Sequence, residues 1–242
     1  MIFSYYKLEM NLVKNFEIEG FKCCCIPREG CETLTFMIYP ALEMLDYKWL
    51  EKVSADYGVA IACVFVPADK WNDVLTPWAE PPEAPTYPPF AGKAKEFLDL
   101  LLSKIVPAAE EACQTSANVN KDLIGVSLSG LFTLWQWIQD DTFRNIASLS
   151  GSFWYHGFIE WFESQQLPHK AGKAFFLLGV DEPKAHVVAY RSVGVDTEKI
   201  MSLLKEAGVD VEFEWVPGNH FSRPLHRALQ AFDHLYPDPI RK

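Results

Sequence analysis

The feature that most constrains the fold is a repeated alternation of short apolar runs with segments of helical periodicity. Residues 33–39 and 59–66 are apolar without the polar alternation of a half-exposed strand, and residues 46–57 between them have a helical pattern. Strands of this kind are buried on both faces, as they are in parallel sheets. A strand, a helix and a second strand in this order predict one crossover unit of a parallel sheet.

The same alternation continues along the rest of the chain. Residues 16–27 predict a hairpin or a bent strand, because Gly20 interrupts a run of strand-forming residues. Further on, the pattern predicts strands over 123–126, 146–149, 174–178 and 209–215, and helices over 93–113, 128–138, 197–207 and 223–235. The series predicts an α/β protein with a mostly parallel central sheet and helices on both faces.

The length of 242 residues predicts one domain, residues 1–242, with residues 1–15 as an N-terminal tail. Residues 77–89 contain six prolines, which exclude a helix and a central strand. A linker between domains is the alternative interpretation of this segment. We favour an ordered loop, because the same strand and helix alternation resumes directly after it, and long loops in compact domains are often functional.

Charge and cysteine usage exclude several classes of protein. A formal net charge of −10 disfavours nucleic acid as a partner. No apolar stretch is long enough for a membrane span, and the first residues lack the pattern of a signal peptide. The adjacent Cys23, Cys24 and Cys25 are poorly arranged for a disulfide framework, so we expect a cytoplasmic protein. Ligand spacing for a metal is missing around the other cysteines, and the sequence indicates neither a metal nor another cofactor.

Ser127 is the candidate nucleophile. It lies in Gly-Val-Ser-Leu-Ser-Gly at 125–130, where a short buried strand turns into an apolar helix. A serine at such a turn has its hydroxyl above the sheet edge, and the helix N-terminus supplies free N–H groups. Ser129 stands where the familiar Gly-x-Ser-x-Gly pattern has glycine. The competing interpretation is that Ser127 only caps the helix.

His220 is the candidate base, because it follows the predicted strand 209–215 and so lies at the carboxyl edge of the sheet. A surface histidine without a role is the alternative. The acid is expected after the strand 174–178, where Asp181 and Glu182 are adjacent. Either carboxylate could accept the imidazole N–H, so the residues alone leave the choice between them open.

The remaining site residues are expected around the same edge. An oxyanion hole needs two backbone donors, and we predict the N–H groups of Leu128 and Ala41, since Pro40 has none. Trp71 and Trp78 follow the strand 59–66, and Trp154 follows the strand 146–149. These rings are candidates for substrate binding by stacking, with packing in the core as the equal alternative.

Four motifs resemble those of the esterase family of α/β-hydrolases. They are Gly-x-Ser-Leu-x-Gly-Leu-Phe at 125–132, Ser-x-Ser-Gly-Ser-Phe-Trp-Tyr at 148–155, Leu-Gly-x-x-Glu-Pro-Lys at 178–184 and Pro-Gly-Asn-His-Phe at 217–221. The family includes enterochelin-esterase-like, feruloyl-esterase-like and esterase-D-like enzymes, and the resemblance, which is closest to uncharacterised bacterial members, covers residues 30–237. The chain departs from the pattern at Ser129 and at Tyr39-Pro40, where many members have His-Gly.

The resemblance implies an α/β-hydrolase fold, with Ser127 as nucleophile, His220 as base and Glu182, rather than Asp181, as acid. It also places the segment from Trp71 to Trp78 at the mouth of the site. The expected activity is hydrolysis of a small-molecule carboxylic ester, with no large lid domain because the stretch from Trp154 to Lys173 is short. The alternatives are an acyltransferase with the same triad, and an inactive binding protein whose oxyanion hole is broken at Tyr39-Pro40.

Overall fold

The computed structural model describes residues 13–40, 46–83, 85–116, 118–167 and 171–238. Eight strands of this part of the chain form one sheet in the order β1-β2-β4-β3-β7-β8-β9-β10. The strands are β1 (Lys14–Ile18), β2 (Phe21–Ile26), β3 (Thr33–Tyr39), β4 (Ala60–Phe65), β7 (Asn120–Val126), β8 (Asn145–Leu149), β9 (Lys173–Gly179) and β10 (Asp210–Val216). From β4 to β10 every neighbouring pair is parallel, whereas β1 and β2 are antiparallel to their neighbours.

Helices cover both faces of this sheet, as the alternation predicts. They are α1 (Tyr47–Tyr57), α2 (Trp71–Val74), α3 (Ala94–Leu100), α4 (Val106–Cys113), α5 (Leu128–Gln139), α6 (Phe158–Ser164), α7 (Val193–Glu206) and α8 (Pro224–Leu235). Helices α1 and α8 pack on one face with the second core cluster, and α3 to α7 pack on the other face with the larger one. The predicted mostly parallel sheet with helices on both faces is therefore confirmed.

Local sequence signals account for where several elements begin and end. Glu19 and Gly20 both have positive φ, at 51° and 84°, so they form the tight turn of the β1–β2 hairpin. Helix α1 begins after Asp46, whose side chain accepts a hydrogen bond from Lys48 N at 2.9 Å, and it ends at Gly58 in the left-handed conformation. Helix α1, predicted over 46–57, therefore begins one residue later than expected, and the strand predicted over 59–66 is observed as β4, one residue shorter at each end.

The segment 93–113, the proline-rich loop and the N-terminal tail each differ from the predictions. The helix expected over 93–113 contains five π-helical residues, Leu101–Ile105, just before Pro107, which has no N–H to continue the α-helical ladder. The proline-rich loop is bounded by a two-residue strand pair, β5 (Ala79–Glu80) with β6 (Phe90–Ala91). Strand β1 begins at Lys14, inside the expected tail, whose residues 1–12 lie outside the described part.

The connection between β8 and β9 bears on access to the carboxyl edge of the sheet. Its described residues form the seven-residue helix α6 and irregular chain, and they contain no lid domain. The carboxyl ends of β7, β8, β9 and β10 are neighbours, so the loops that follow these strands meet at one edge.

Candidate active site

Ser127 occupies the turn between β7 and α5. Its backbone has φ 59° and ψ −124°, a conformation that residues with a Cβ rarely adopt. The turn is tight because strand and helix approach closely. A Cβ added at Gly125 would lie 2.2 Å from the carbonyl oxygen of Ser129, so only glycine fits there. This geometry lifts the Ser127 hydroxyl into a cavity at the sheet edge.

Ser129, which departs from the family pattern, is accommodated by its own hydrogen bonds. Its buried hydroxyl accepts from Val126 N at 2.7 Å and lies 2.8 Å from the carbonyl oxygen of Ile38, to which it can donate. The glycine at the next position allows the close approach of helix and neighbouring loop, because a Cβ on Gly130 would lie 2.7 Å from Ser148 Oγ and 3.0 Å from Gly151 Cα. The turn therefore keeps its shape with serine at position 129.

His220 lies in the loop after β10, within reach of both expected partners. Its Nε2 is 3.1 Å from Ser127 Oγ, and its Nδ1 is 2.9 Å from Glu182 Oε2. The loop is held locally by Asn219, whose Oδ1 accepts from Phe221 N at 3.0 Å. The structure thus brings together a hydroxyl, an imidazole and a carboxylate from three distant segments.

The two carboxylates after β9 have different environments. Glu182 is buried, and its Oε1 accepts from Gly179 N at 2.7 Å and from Ser150 Oγ at 2.7 Å. Asp181 is half-exposed and pairs with Lys184 at 2.7 Å. Glu182 is therefore the carboxylate that faces the imidazole, while Asp181 points to a surface lysine.

Hydrogen bonding keeps Glu182 ionised despite its burial. Burial by itself raises the pKa of this carboxyl. The hydrogen bond and charge of His220 act against it, as do the Ser150 hydroxyl and the Gly179 N–H, and together they lower the pKa to about 2. At neutral pH the carboxylate can therefore accept the Nδ1–H of His220 and stabilise a positive imidazolium.

Two residues of this network escaped the sequence analysis, Ser150 and Arg227. Arg227 Nη1 donates to Glu182 Oε1 at 2.8 Å and also to Ser150 Oγ, and both residues are buried. A usable signal existed for Arg227. It lies in α8 beside Ala228 and one turn before Ala231, which is the core-facing side of that helix, where a charge needs a partner.

Of the two predicted oxyanion donors, only Leu128 lies in the described part of the chain. Leu128 is the first residue of α5, so its N–H has no acceptor within the helix, and the residue lines the cavity beside Ser127. Ala41 belongs to residues 41–45, which lie outside the described part of the chain. The second donor therefore stays a prediction.

The cavity above Ser127 has a volume of about 740 Å³. Its walls are rich in aromatic side chains, which are Trp71, Tyr87, Phe90, Trp154, Tyr190 and Phe221. Trp154 and Tyr190 are in contact, with ring centroids 4.2 Å apart, so two loops share one wall. Trp71 and Trp154 thus lie where a substrate role requires them.

Trp78, the third predicted substrate-binding tryptophan, does not line the cavity. Its ring packs against Tyr155, Phe158 and Trp161 at centroid distances of 5.7, 6.4 and 6.2 Å. Its indole N–H donates to the carbonyl oxygen of His156 at 3.0 Å. The position of Trp78 supports packing against α6 and Tyr155 instead of contact with substrate.

Within the described residues, the protein has neither a cluster of metal-binding side chains nor a helix able to span a membrane. His, Cys, Asp and Glu side chains there form no group of three that could hold a metal ion. In the same residues, every helix is too short or too polar to cross a membrane.

Comparisons with known proteins agree with this architecture. A family model described as "Putative esterase" matches residues 47–205. An uncharacterized protein of Bacillus subtilis (strain 168), YbbA, is 26% identical over 138 residues, which are 56% of this chain and 55% of that protein. The matched region therefore spans little more than half the length of this curated relative.

Solved structures with the same fold cover nearly the whole chain. The siderophore hydrolase EstB from Aspergillus nidulans has a TM-score of 0.74 at 17% identity, covering 96% of this chain and 97% of its own. An IroE-like serine hydrolase from Shewanella oneidensis has a TM-score of 0.75 at 17% identity, covering 93% and 80%. At such identities the likeness establishes the fold.

Proposed function

The chain belongs to the esterase family of α/β-hydrolases, and from that premise we propose that it hydrolyses a small-molecule carboxylic ester through an acyl-enzyme formed on Ser127. The observation that carries the proposal is the chain of two short contacts from Ser127 Oγ to His220 Nε2, at 3.1 Å, and from His220 Nδ1 to Glu182 Oε2, at 2.9 Å. Nucleophile, base and acid are each within hydrogen-bonding distance of the next, as nucleophilic catalysis requires.

In the first half of the reaction, Ser127 Oγ attacks the ester carbonyl while His220 Nε2 takes its proton. The carbonyl π electrons move to oxygen, and the Leu128 N–H donates to that oxyanion, with Ala41 N–H as the second proposed donor. Glu182 stabilises the imidazolium. When the tetrahedral intermediate collapses, the bond to the alkoxy oxygen breaks, and His220 returns the proton to the leaving alcohol.

In the second half, water takes the place of the alcohol. His220 accepts a proton from the water as its oxygen attacks the acyl carbonyl. Collapse of this intermediate releases the carboxylic acid and returns the proton to Ser127 Oγ. An alcohol in place of water would make the same triad an acyltransferase, and the two are separated by product analysis with an added alcohol acceptor.

The cavity wall supports an ester that carries a flat or apolar group. Trp71 and Trp154 offer ring faces beside Ser127, and stacking on such faces provides a large contact area. EstB is named a siderophore hydrolase, so siderophore-type esters belong in the first substrate panel, with short-chain and aromatic esters. The proposal includes a cytoplasmic location, supported by six cysteines that are all free thiols.

The test is reaction with a fluorophosphonate probe, combined with hydrolysis of p-nitrophenyl acetate, in the parent and in Ser127→Ala. We expect the parent to be labelled and active, and Ser127→Ala to be unlabelled with kcat lower by about 10⁴-fold or more. Ser152→Ala is the matched control, since its hydroxyl lies 3.5 Å from Ser127 Oγ but, among the described residues, forms no hydrogen bond with His220. Full activity of Ser127→Ala would refute the proposal. A parent protein that is neither labelled nor active would favour the alternative that the chain is an inactive binding protein.

A further inference from the structure

Arg227 is a buried charge that contacts the loops carrying Glu182 and His220. Only 3% of the residue is exposed. Its Nη1 donates to Glu182 Oε1 at 2.8 Å, and its Nη2 donates to the carbonyl oxygen of Asn219 at 2.6 Å. Glu182 follows β9, whereas Asn219 directly precedes His220 in the loop after β10. One guanidinium therefore joins the loop of the acid to the loop of the base.

The arrangement suits arginine specifically. A guanidinium is planar and carries several N–H donors in a fixed fork, so its two terminal nitrogens can bind two acceptors at once. Ser150, whose hydroxyl accepts from Nη1 and donates to Glu182, closes the network from the loop after β8. A buried guanidinium is costly to desolvate unless it is paired, and here Glu182 supplies the opposite charge. Both terminal nitrogens are bonded, whereas the buried Nε has no hydrogen-bond partner among the described residues.

We propose that Arg227 is a positioning residue for the hydrolytic reaction, fixing Glu182 and the backbone of residue 219 so that His220 stays aligned with Ser127, and partly neutralising the charge that Glu182 presents to the imidazole. The inference rests on the proposed function. Arg227 does not line the cavity, so it acts on the reacting groups through Glu182 and the loop of His220.

The second part of the proposal concerns the pH range of activity. Of the charged groups near His220, Glu182 contacts the ring, and Arg227 reaches it through Glu182. Asp181 and Lys184, which form an ion pair, line the same cavity, as does His186. Without Arg227, the full negative charge of Glu182 would face the imidazole and stabilise its positively charged form more strongly.

Steady-state kinetics across pH separate the positioning role from a general effect on folding. For Arg227→Met we expect kcat to fall about 100-fold through misalignment. We expect KM to change by less than about threefold, because no cavity wall is altered. The acidic limb of the pH profile of kcat/KM should move to higher pH by on the order of one unit. Arg227→Lys keeps the charge but not the fork, so the limb should stay near the parent position while kcat is only partly recovered.

Arg223→Met is the matched control, because it removes an exposed arginine at the residue that directly precedes the same helix. We expect it to leave kcat and the pH profile unchanged. Thermal unfolding of all variants gives the folded fraction. The proposal would be overturned if Arg227→Met and Arg227→Lys lost kcat equally, in proportion to their folded fraction, and if the acidic limb of the pH profile did not move. Arg227 would then have only a structural role.

An NMR titration of the His220 imidazole gives an answer that does not depend on ester turnover. We expect its midpoint at higher pH in Arg227→Met than in the parent, and near the parent value in Arg227→Lys. Identical midpoints in the parent and Arg227→Met would overturn the electrostatic part. A parent that hydrolyses no ester but gives the expected titration would refute the proposed function while leaving the coupling of Arg227 to His220 intact.

Discussion

Asp181 and Glu182 are adjacent carboxylates after β9, and they differ in the groups to which they are hydrogen-bonded. Glu182 accepts hydrogen bonds from His220, Ser150, Gly179 and Arg227, whereas the side chain of Asp181 pairs with Lys184 at the surface. In Glu182→Gln the amide can present its NH₂ group to His220 Nδ1 and favour the wrong tautomer, and it no longer balances the imidazolium. We therefore expect kcat for ester hydrolysis to fall by about 10⁴-fold.

Asp181→Asn is the matched control for this prediction, because it changes the neighbouring carboxylate in the same way. We expect kcat to stay within about threefold of the parent, since surface ion pairs contribute little and Asp181 does not contact the imidazole. The two variants are compared in one p-nitrophenyl acetate assay. A larger loss in Asp181→Asn than in Glu182→Gln would show that the loop rearranges during turnover and that Asp181 is the acid.

The sequence predicted the site unevenly, for physical reasons. Ser127 and His220 could be found because strand order puts both at one sheet edge, and topology follows from hydrophobic periodicity. Periodicity does not determine which of two consecutive residues in a turn points inward, so Glu182 needed the family resemblance. Arg227 and Ser150 were missed because their role lies in contacts between segments 32 to 77 residues apart.

At the scale of elements, predictions succeeded where burial determines the structure. Strand β3 was predicted to its exact bounds, because every position from Leu34 to Tyr39 is buried and turn residues flank it. Helix α7 begins four residues before its predicted start, at Val193, where Gly194 packs near the rings of Trp215 and Pro183. Such contacts between distant segments extend a helix beyond its local sequence pattern.

Tyr236, the residue after α8, is hydrogen-bonded near the amino ends of two central strands, at the sheet edge opposite the candidate active site. The hydroxyl of Tyr236 donates to Asp122 Oδ2 at 2.7 Å and lies 2.7 Å from Thr35 Oγ1, and the partners Asp122 and Thr35 are buried in β7 and β3. Burial raises the pKa of Asp122, against the hydrogen bonds of Tyr236 and Asn145, which lower it. The contact therefore ties a helix that carries Arg227 to two central strands.

Tyr236→Phe should destabilise the protein by about 1–3 kcal/mol, because it removes the hydrogen bonds to Asp122 Oδ2 and Thr35 Oγ1 while keeping the ring. Urea unfolding followed by circular dichroism measures the change. Tyr87→Phe is the control, since Tyr87 is 46% exposed, and we expect less than about 0.5 kcal/mol. Equal stability of Tyr236→Phe and the parent would mean that these hydrogen bonds contribute nothing.

At the scale of the whole molecule, the proposed catalysis and the stability of the fold depend on the same network of charges. The network of Glu182, Arg227 and His220 joins the loops after β9 and β10 with helix α8, so it cross-links three segments of the last third of the chain. The remaining charges are mostly at the surface, with a formal net charge of −10, and contribute little individually. Loss of the Glu182 charge should therefore lower the free energy of unfolding of the protein.

Acid unfolding tests this connection. The pKa of Glu182 is lowered from 4.5 to about 2 in the folded protein, so its contribution to stability is fully present above pH 4.5 and is lost as the pH falls toward 2. Between about pH 6 and pH 3, we expect the free energy of unfolding of the parent to fall by roughly 2 kcal/mol more than that of Glu182→Gln. Asp122, with its raised pKa, acts in the opposite direction but equally in both proteins, so it cancels in the difference. The measurement is urea unfolding at a series of pH values. Parallel pH dependences in the two proteins would mean that Glu182 titrates alike in the folded and unfolded chain, and that its buried network does not stabilise the fold.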